Sequence, residues 1–283
     1  MVNSHVRTRI ISIRLPMSLD TELRRIAEEL GRDVSDVIRE ALRRGLSEIK
    51  LNLVFQRYTK GEMSLSQAID VLGLNPWILL HNMASRNISL RYSDEDLSDD
   101  LKSLDTHGVA ICSWTPLVFL SKISRLGLLK QLFEEVYVPK EVFEALTWIE
   151  DSEKYPEVFL IRKSVIDGVI RVMEVSRERV EHITRKCGAS LGRCAVAAIA
   201  LAKQVRGVLI TDDTDSRKVA RSKNIPTKGT VYLIIEMVRK GLINKRGAKR
   251  MIKKLIQAGL KIPQEMLITL MEEIEKYDRI TNN

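Results

Sequence analysis

The sequence predicts an α/β protein with three parts: a small N-terminal strand-helix-helix unit, a helical middle segment, and a C-terminal three-layer domain built on a parallel sheet. Three observations favour this. A short alternating segment precedes two stretches of helical apolar spacing, capped helices and an acidic run follow, and short apolar runs then alternate with helical patterns. We place the boundaries at residues 1–48, 49–105 and 106–283.

Composition excludes several classes of protein. The chain has 283 residues, 45% of them hydrophobic, and a net charge of +9, which suits two or three domains and excludes wholesale disorder. The longest run of low polarity, residues 194–202, is too short to cross a bilayer, and the first residues carry no apolar signal segment. Three cysteines without a CxxC pair and four scattered histidines predict neither a disulfide framework nor a metal site. We expect a cytoplasmic, nucleoid-associated protein with no cofactor and no membrane partner.

The positive charge is concentrated in one part of the chain. Residues 1–105 hold 15 basic and 16 acidic side chains, a balance of −1, whereas residues 106–283 hold 31 and 21, a balance of +10. A polyanion is therefore the expected partner of the C-terminal part.

The first 48 residues have the pattern of one strand and two helices. Residues 9–15 alternate as a strand does, and Pro16 ends the run. Helical spacing follows over residues 18–30 and again over residues 34–46, with Asp33 as the cap of the second helix. One strand and two helices cannot enclose a core, so we expect an obligate dimer whose strands pair antiparallel.

This unit, with "RIISIRLP" before the helices and "GRDVSDVIREAL" opening the second helix, resembles the ribbon-helix-helix family, of the Arc and MetJ kind, over residues 7–48. In that family a two-stranded ribbon enters the major groove of double-stranded DNA and its outward side chains read bases. The resemblance implies base contacts from Thr8, Ile10, Ser12 and Arg14, and phosphate contacts from the backbone amides of Val34 and Ser35. The alternative is a ribbon that only dimerises, with these side chains as its solvated face.

The middle segment predicts short helices. Helical spacing continues over residues 47–58, and two capped helices follow over residues 64–73 and 76–84. The order "GEMSLSQAIDVLGLNPWILLHNMASRNISLRYSDEDLSDDL" resembles a family of archaeal and cyanobacterial VapB-like antitoxins over residues 51–104. Such a segment is a clamp for a toxin, a second DNA reader, or a spacer bundle with Trp77 in its core.

The end of the middle segment is acidic. Six carboxylates accompany Lys102: Asp94, Glu95, Asp96, Asp99, Asp100 and Asp105. Ser93 and Asp96 form a capping-box pattern, so part of this charge belongs to a helix start. We expect the acidic stretch to lie against the basic C-terminal part and to compete there with nucleic acid.

The C-terminal part alternates strands and helices. Strands are predicted near residues 109–112, 136–138, 170–175, 207–211 and 225–227, with helices between them. The pieces "AICSWTPLVFLSKI", "LFEEVYVPKEVFEAL", "LGRCAVAAIALA", "VLITDDTDSRKVARSKNIP" and "GTVYLIIEMVRKGLI" resemble a PIN domain over residues 107–275. Active PIN domains are metal-dependent ribonucleases, and VapC toxins are among them.

The resemblance implies a metal site that this sequence lacks. The family's first-strand Asp falls on Ser113, the Glu after its second strand on Ala145, and the acids of its central helix on Ala195 and Ala197. Asp212 survives, with Asp213 beside it. Because Mg²⁺ and Mn²⁺ need several hard oxygen ligands, we expect no metal and no catalytic residues, and Asp212 and Asp213 are interpreted as a vestigial site that forms a strand-end turn and a helix cap.

A basic stretch lies near the C-terminus, because no acid occurs between Glu236 and Glu265. Its spacing places six cations on one helix face: Lys245, Arg246, Lys249, Arg250, Lys253 and Lys254. This face is expected to contact DNA phosphates; the alternative is an ordinary solvated face.

Together these patterns predict a non-enzymatic DNA-binding protein, either a transcriptional regulator or a chromatin-organising protein, derived from a fused toxin–antitoxin pair. Its expected partners are double-stranded DNA and a second copy of the chain, with a further interface through the PIN-like domain. If both interfaces join the same two chains, the product is a closed dimer; if they join different chains, the assembly is open. Two alternatives stay open. One is an RNA-binding protein or weak ribonuclease that its own antitoxin segment holds neutralised, and the other is an interaction scaffold.

Overall fold

The computed structural model describes residues 9–102, 108–149, 152–187 and 190–281, so the predicted contact Thr8 and the acid Asp105 lie outside the described residues. The chain divides into two compact units, Met1–Leu53 and Val54–Asn283. No helix within the described ranges is long and apolar enough to cross a membrane.

The N-terminal unit contains two helices. Helix α1 spans Met17–Leu30 and ends at Gly31, whose left-handed backbone suits glycine. Helix α2 begins at Val34, where Asp33 caps it as predicted by accepting a hydrogen bond from the Ser35 amide at 2.7 Å, and it runs without a break to Thr59 in the second unit. Residues 9–16 form neither helix nor strand in the single chain. A two-stranded ribbon needs a second copy, so the ribbon stays a prediction.

Three short helices follow α2, close to the bounds that their caps predict. Helix α3 spans Leu65–Leu72 behind a capping box, α4 spans Pro76–Ser85, and α5 spans Asp94–Lys102. The predicted reciprocal cap of α5 is present, because the Ser93 and Asp96 backbone amides each donate to the other residue's side chain at 3.2 Å.

The rest of the second unit is built on a five-stranded parallel sheet in the order β3-β2-β1-β4-β5. The strands are β1 Val109–Cys112, β2 Glu135–Pro139, β3 Arg171–Met173, β4 Val208–Ile210 and β5 Thr227–Lys228. This confirms the predicted α/β fold with a parallel sheet. The carboxyl ends of β1 and β4, which are neighbours, lie at the edge where ligand sites form in such sheets.

Helices cover both faces of this sheet. They are α6 Trp114–Lys122, α7 Leu129–Leu132, α8 Lys140–Thr147, α9 Pro156–Ile166, α10 Arg177–Cys187, α11 Arg193–Val205, α12 Thr214–Arg221, α13 Thr230–Arg239, α14 Lys245–Gln257 and α15 Gln264–Thr281. With the right-handed crossovers that parallel strands almost always have, this strand order places α6 and α9 on one face and α10, α11 and α12 on the other. The contacts of α6 with α9, and of α11 with α10 and α12, agree with this placement. Helices α14 and α15 pack on α13, which packs on α6 and α7, so they belong to the first face. The alanine-rich helix α11 forms the core of the second face.

Candidate functional site

Hydroxyl groups join the ends of β1 and β4, and at the end of β1 the family resemblance implies a carboxylate in place of Ser113. Ser113 follows β1, and its Oγ donates to Thr211 Oγ1 at 3.1 Å. The Ser113 amide donates to the Ile210 carbonyl at 2.9 Å, and the Asp212 amide donates to Thr115 Oγ1 at 3.3 Å. These buried hydroxyls satisfy one another and the strand ends, so they form a structural network.

Asp212 is buried and both of its oxygens are used. One oxygen accepts from the Thr230 amide and the other from Thr230 Oγ1, each at 2.7 Å. Burial raises the pKa of Asp212, and the hydrogen bonds from Thr230 oppose that rise. The carboxylate therefore ties the end of β4 to the first turn of α13.

Asp213 is also buried and occupies the N-cap position of α12. Its carboxylate accepts from Ser216 Oγ at 2.5 Å. Burial raises the pKa of Asp213 to about 6, and the nearby Asp215 contributes to the rise. Ionised Asp213 therefore lowers the stability of the folded protein near neutral pH.

A cavity of only about 10 Å³ remains at the place of the family's metal site. Ser113, Ala195, Asp213 and Ser66 are among its lining residues, whereas Asp212 is not. The sequence mapping pointed to Asp212 as the surviving acid, but Asp213 is the carboxylate that reaches the cavity. Ala197 is buried elsewhere in α11.

The donor set does not fit a divalent metal. One carboxylate and a few hydroxyls provide too few hard anionic oxygens for Mg²⁺ or Mn²⁺. Within the described ranges, no three His, Cys, Asp or Glu side chains are placed to hold a metal ion. Ala145 faces a separate cleft of about 800 Å³, which it lines with Glu144 and Glu141.

Helix α3 covers this cavity. Ser66 Oγ accepts from the Gly192 amide at 3.1 Å, and Asp70 accepts from the Arg193 amide at 2.7 Å, so two side chains of α3 satisfy the first amides of α11. A Cβ atom on Gly192 would lie 2.2 Å from the Ser66 carbonyl oxygen. Only glycine permits this approach, and α3 therefore sits directly on the end of the helix that carries Ala195. We call residues 54–102, which include α3, α4 and α5, the covering segment.

A buried arginine joins the covering segment to the sheet domain. The Arg217 side chain is 0% exposed; its Nε donates to Asp96 Oδ1 at 3.0 Å and its Nη2 to Asp100 Oδ1. Arg217 also donates to the carbonyl oxygens of Asp96 at 3.1 Å and Thr211 at 3.2 Å. We call Arg217 with Asp96 and Asp100 the Arg217 cluster.

Asp100 extends this cluster to β5. Its Oδ2 accepts from the Gly229 amide and from Tyr92 Oη, each at 2.7 Å, and its backbone oxygen accepts from Lys228 Nζ. Burial raises the pKa of Asp100 although Arg217 opposes the rise, and burial lowers the pKa of Lys228 to about 8. The hydrogen bonds and ion pairs among these buried charged groups therefore compensate for their removal from water.

Two further arginines form ion pairs at the margin of the cluster. Arg91 pairs with Asp215 and stacks 4.7 Å from the centre of the Tyr58 ring, and Arg221 pairs with Asp96 at 3.3 Å and Asp99 at 2.9 Å. The acidic stretch therefore lies against basic side chains of α12 and β5, as the sequence predicted.

The predicted DNA contacts of the N-terminal unit are exposed. Ile10 is 94% exposed, and Ser12 and Arg14 are exposed beside it. The Ser35 amide already donates to Asp33, so a phosphate at this helix start has to share that amide with the cap. Val34 keeps its predicted place at the first turn of α2.

The predicted basic face of α14 is present and only partly neutralised. Lys245 and Lys249 pair with Glu275 of α15. Four exposed cations form no ion pair within the part of the chain that the structure describes: Arg246, Arg250, Lys253 and Lys254. The apolar side chains of the opposite face, Met251, Ile252 and Leu255 among them, are buried.

Residues 109–276 match the DUF3368 family of PIN domains, which is more than half of the chain. The chain belongs to this PIN-domain family. Residues 23–106 match a second family, the uncharacterised protein family UPF0175. The second match begins within α1, well before residue 51, where the resemblance to antitoxins was placed from the sequence. The two matches support a fused antitoxin–PIN arrangement.

Two curated relatives are similar to parts of this PIN-domain protein. Endoribonuclease Nob1 of Methanocaldococcus jannaschii is 29% identical over 97 residues, which are 30% of this chain and 49% of that protein. A UPF0175 protein of Aeropyrum pernix is 39% identical over 54 residues, which are 19% of this chain and 61% of that protein. The chain thus spans about half of the first relative and about three fifths of the second.

Sequence reasoning missed the residues that close the PIN site. The sequence gives no signal for the pairing of Arg217 with Asp96 or for the contacts of Ser66 and Asp70 with the start of α11. Gly192 was the available signal, because a glycine at a helix start beside a run of small residues indicates close approach of another backbone. Its partner, 126 residues away, is not visible in the sequence.

Proposed function

We propose that this chain is a non-enzymatic DNA-binding protein, a transcriptional regulator or DNA-organising protein, whose antitoxin-like segment is permanently seated on an inactive PIN domain. One observation carries the proposal. A cavity of only about 10 Å³ is lined by Ser113 and Ala195, for which the resemblance implies carboxylates, and by Ser66 of the covering segment, and this supports the absence of cleavage.

The fusion itself supports a permanent arrangement. The covering segment and the PIN domain are parts of one chain, so their effective concentration is on the order of millimolar or higher. A separate antitoxin can be degraded to release its toxin, whereas this segment stays with its target. The buried Arg217 cluster adds contacts that would have to break together. A releasable toxin is therefore a poor description of this chain.

The N-terminal unit supports dimerisation. Large apolar side chains are exposed along residues 9–16, α1 and the part of α2 in this unit: Ile10, Ile11, Ile13, Met17, Leu19, Leu30, Leu42, Leu46, Ile49 and Leu53. Burying apolar surface is worth about 25 cal/mol per Å², so a second copy that covers this surface gains substantial stability. An antiparallel ribbon formed by residues 9–15 of two chains would present Ser12 and Arg14 to the major groove.

Salt-dependent duplex binding tests the proposal. The protein's own upstream DNA and a random duplex are titrated over a salt series, and the slopes give the number of phosphate contacts. Upstream DNA that binds about a thousandfold more tightly indicates a sequence-specific regulator. Equal, cooperative binding to both indicates a DNA-organising protein, and no salt-sensitive binding to either duplex contradicts the proposal.

Similarity to a protein named as an endoribonuclease favours a second candidate function. In this alternative the chain binds RNA, or cleaves it weakly, and the covering segment holds the activity neutralised. Its test is cleavage of labelled RNA in Mn²⁺ that is lost in Asp212→Asn and in Asp213→Asn. Cleavage that persists in both variants comes from a contaminating nuclease.

A further inference from the structure

A cleft of about 370 Å³ opens between α10 and α11. Ile183 and Ala200 form part of its lining, and the small side chain of Ala200 leaves room beside α10. The cleft lies on the second face of the sheet, with α11, whereas α14 lies on the first face. None of its lining residues holds a position that PIN domains use for their carboxylates.

The charge of the cleft is positive. Arg179, Arg185 and Lys203 line it together with one carboxylate, Glu178, and His182. The side chains of Arg179 and Lys203 form no hydrogen bond or ion pair within the described ranges. These exposed cations therefore have unused donors.

A further acid of α10, Glu181, does not line the cleft and is already paired. Glu181 pairs with Arg177 at 2.9 Å, on the same helix, and its backbone oxygen accepts from Arg185 Nε at 3.4 Å. The carboxylate of Glu181 is thus not available to neutralise the cleft.

These groups select a phosphate over a nucleobase. Guanidinium groups present planar, charged donors that match phosphate oxygens, and an ammonium adds a point charge. The lining contains no aromatic side chain on which a single-stranded base could stack. The backbone of a duplex, with its regular phosphates, is the polyanion that fits.

We propose that the cleft between α10 and α11 is a second phosphate-binding site for double-stranded DNA, so that one protomer holds two duplex segments on opposite faces of its sheet. The first is held at the basic face of α14. This inference rests on the proposed function and specifies it, since two separate duplex sites make the chain a DNA-bridging protein.

Capture of a second duplex tests this inference. The full chain is loaded on an immobilised duplex, and retention of a labelled second duplex is measured over a salt series. The variant Arg179→Ala/Lys203→Ala removes two cleft cations, and Lys130→Ala/Lys218→Ala is the matched control, because it removes two exposed lysines outside the cleft. We expect the cleft variant to lower the salt slope of second-duplex capture by about 2 and to reduce capture, while binding of the first duplex persists.

The outcomes separate the two proposals. A wild-type chain that binds no duplex overturns both the proposed function and the second site. A wild-type chain that binds one duplex but captures no second one overturns the second site alone, as does equal capture by the cleft variant and the wild type. Loss of capture in the control variant to the same extent also overturns it, because the effect would then follow total charge.

Discussion

Arg217→Met tests whether the contacts between the covering segment and the sheet domain stabilise the fold or are incidental. Methionine keeps much of the volume of the side chain but removes every hydrogen bond that Arg217 makes. Asp96 and Asp100 are 3% and 1% exposed, and both would lose their main cationic partner. Removing one partner of a buried ion pair costs about 3–5 kcal/mol, so we expect the second unit to lose that much free energy of unfolding.

Urea unfolding of the full chain measures this loss, and Arg221→Met is its control. Arg221 contacts Asp96 and Asp99 from a side chain that is 36% exposed, so its loss should cost no more than about 1 kcal/mol. Adding Asp100→Asn to Arg217→Met should restore part of the stability, because the amide still accepts from Gly229 and Tyr92 without carrying an unpaired charge.

The destabilisation by Arg217→Met should also depend on pH. Arg217 opposes the burial that raises the pKa of Asp100, so the pKa rises further without it and stays above the unfolded value of 3.8. A carboxyl with a raised pKa costs stability once it ionises, and the loss should therefore be larger at pH 7.5 than at pH 5. A loss below about 1 kcal/mol, equal at both pH values, would refute the role assigned to the Arg217 cluster.

Three further predictions concern the closed site and the DNA contacts. Gly192→Ala should lose at least about 2 kcal/mol of unfolding free energy, because its Cβ meets the Ser66 carbonyl. Gly127→Ala, which has open space around it, should change the stability little, and equal effects of the two variants would argue against close approach of α3. Asp213→Asn should stabilise the protein by up to about 3 kcal/mol at pH 7 and by less than about 1 kcal/mol near pH 4, because the cost of the raised pKa of about 6 grows as the pH rises from the ordinary value of 3.8. A pH-independent difference in urea titrations would contradict this. Arg14→Ala should weaken binding to a specific duplex by about 1–3 kcal/mol and reduce sequence preference, whereas Arg250→Ala should weaken binding to all duplexes alike. Competition titrations in which the two variants behave identically would argue against base reading by the ribbon.

The sheet domain could be predicted from the sequence because its signals are local. The apolar runs of β1 and β4 and the alanine-rich α11 give their type and order directly. The sequence does not predict helix α10, because most of its side chains are charged, and among those whose burial the structure describes Ile183 alone is fully buried.

The sequence predicts which carboxylates the candidate site lacks, but it does not predict that α3 covers the site. The family resemblance predicts that Ser113 and Ala195 replace acids, and such a prediction concerns one position at a time. The seating of Ser66 on Gly192 and the pairing of Arg217 with Asp96 join residues more than a hundred positions apart. Such pairings depend on the tertiary arrangement, so one sequence could indicate only that the acidic stretch and the basic part attract each other.

Binding without cleavage is the central claim, and one measurement tests it directly. Labelled duplex DNA and labelled RNA are incubated with the full chain in Mn²⁺, and each sample is divided between a native gel, which reports binding, and a denaturing gel, which reports length. The expected result is a retarded duplex, with both nucleic acids at their original length. RNA that is shortened by the wild type and left intact by Asp213→Asn would contradict the claim and establish a working nuclease.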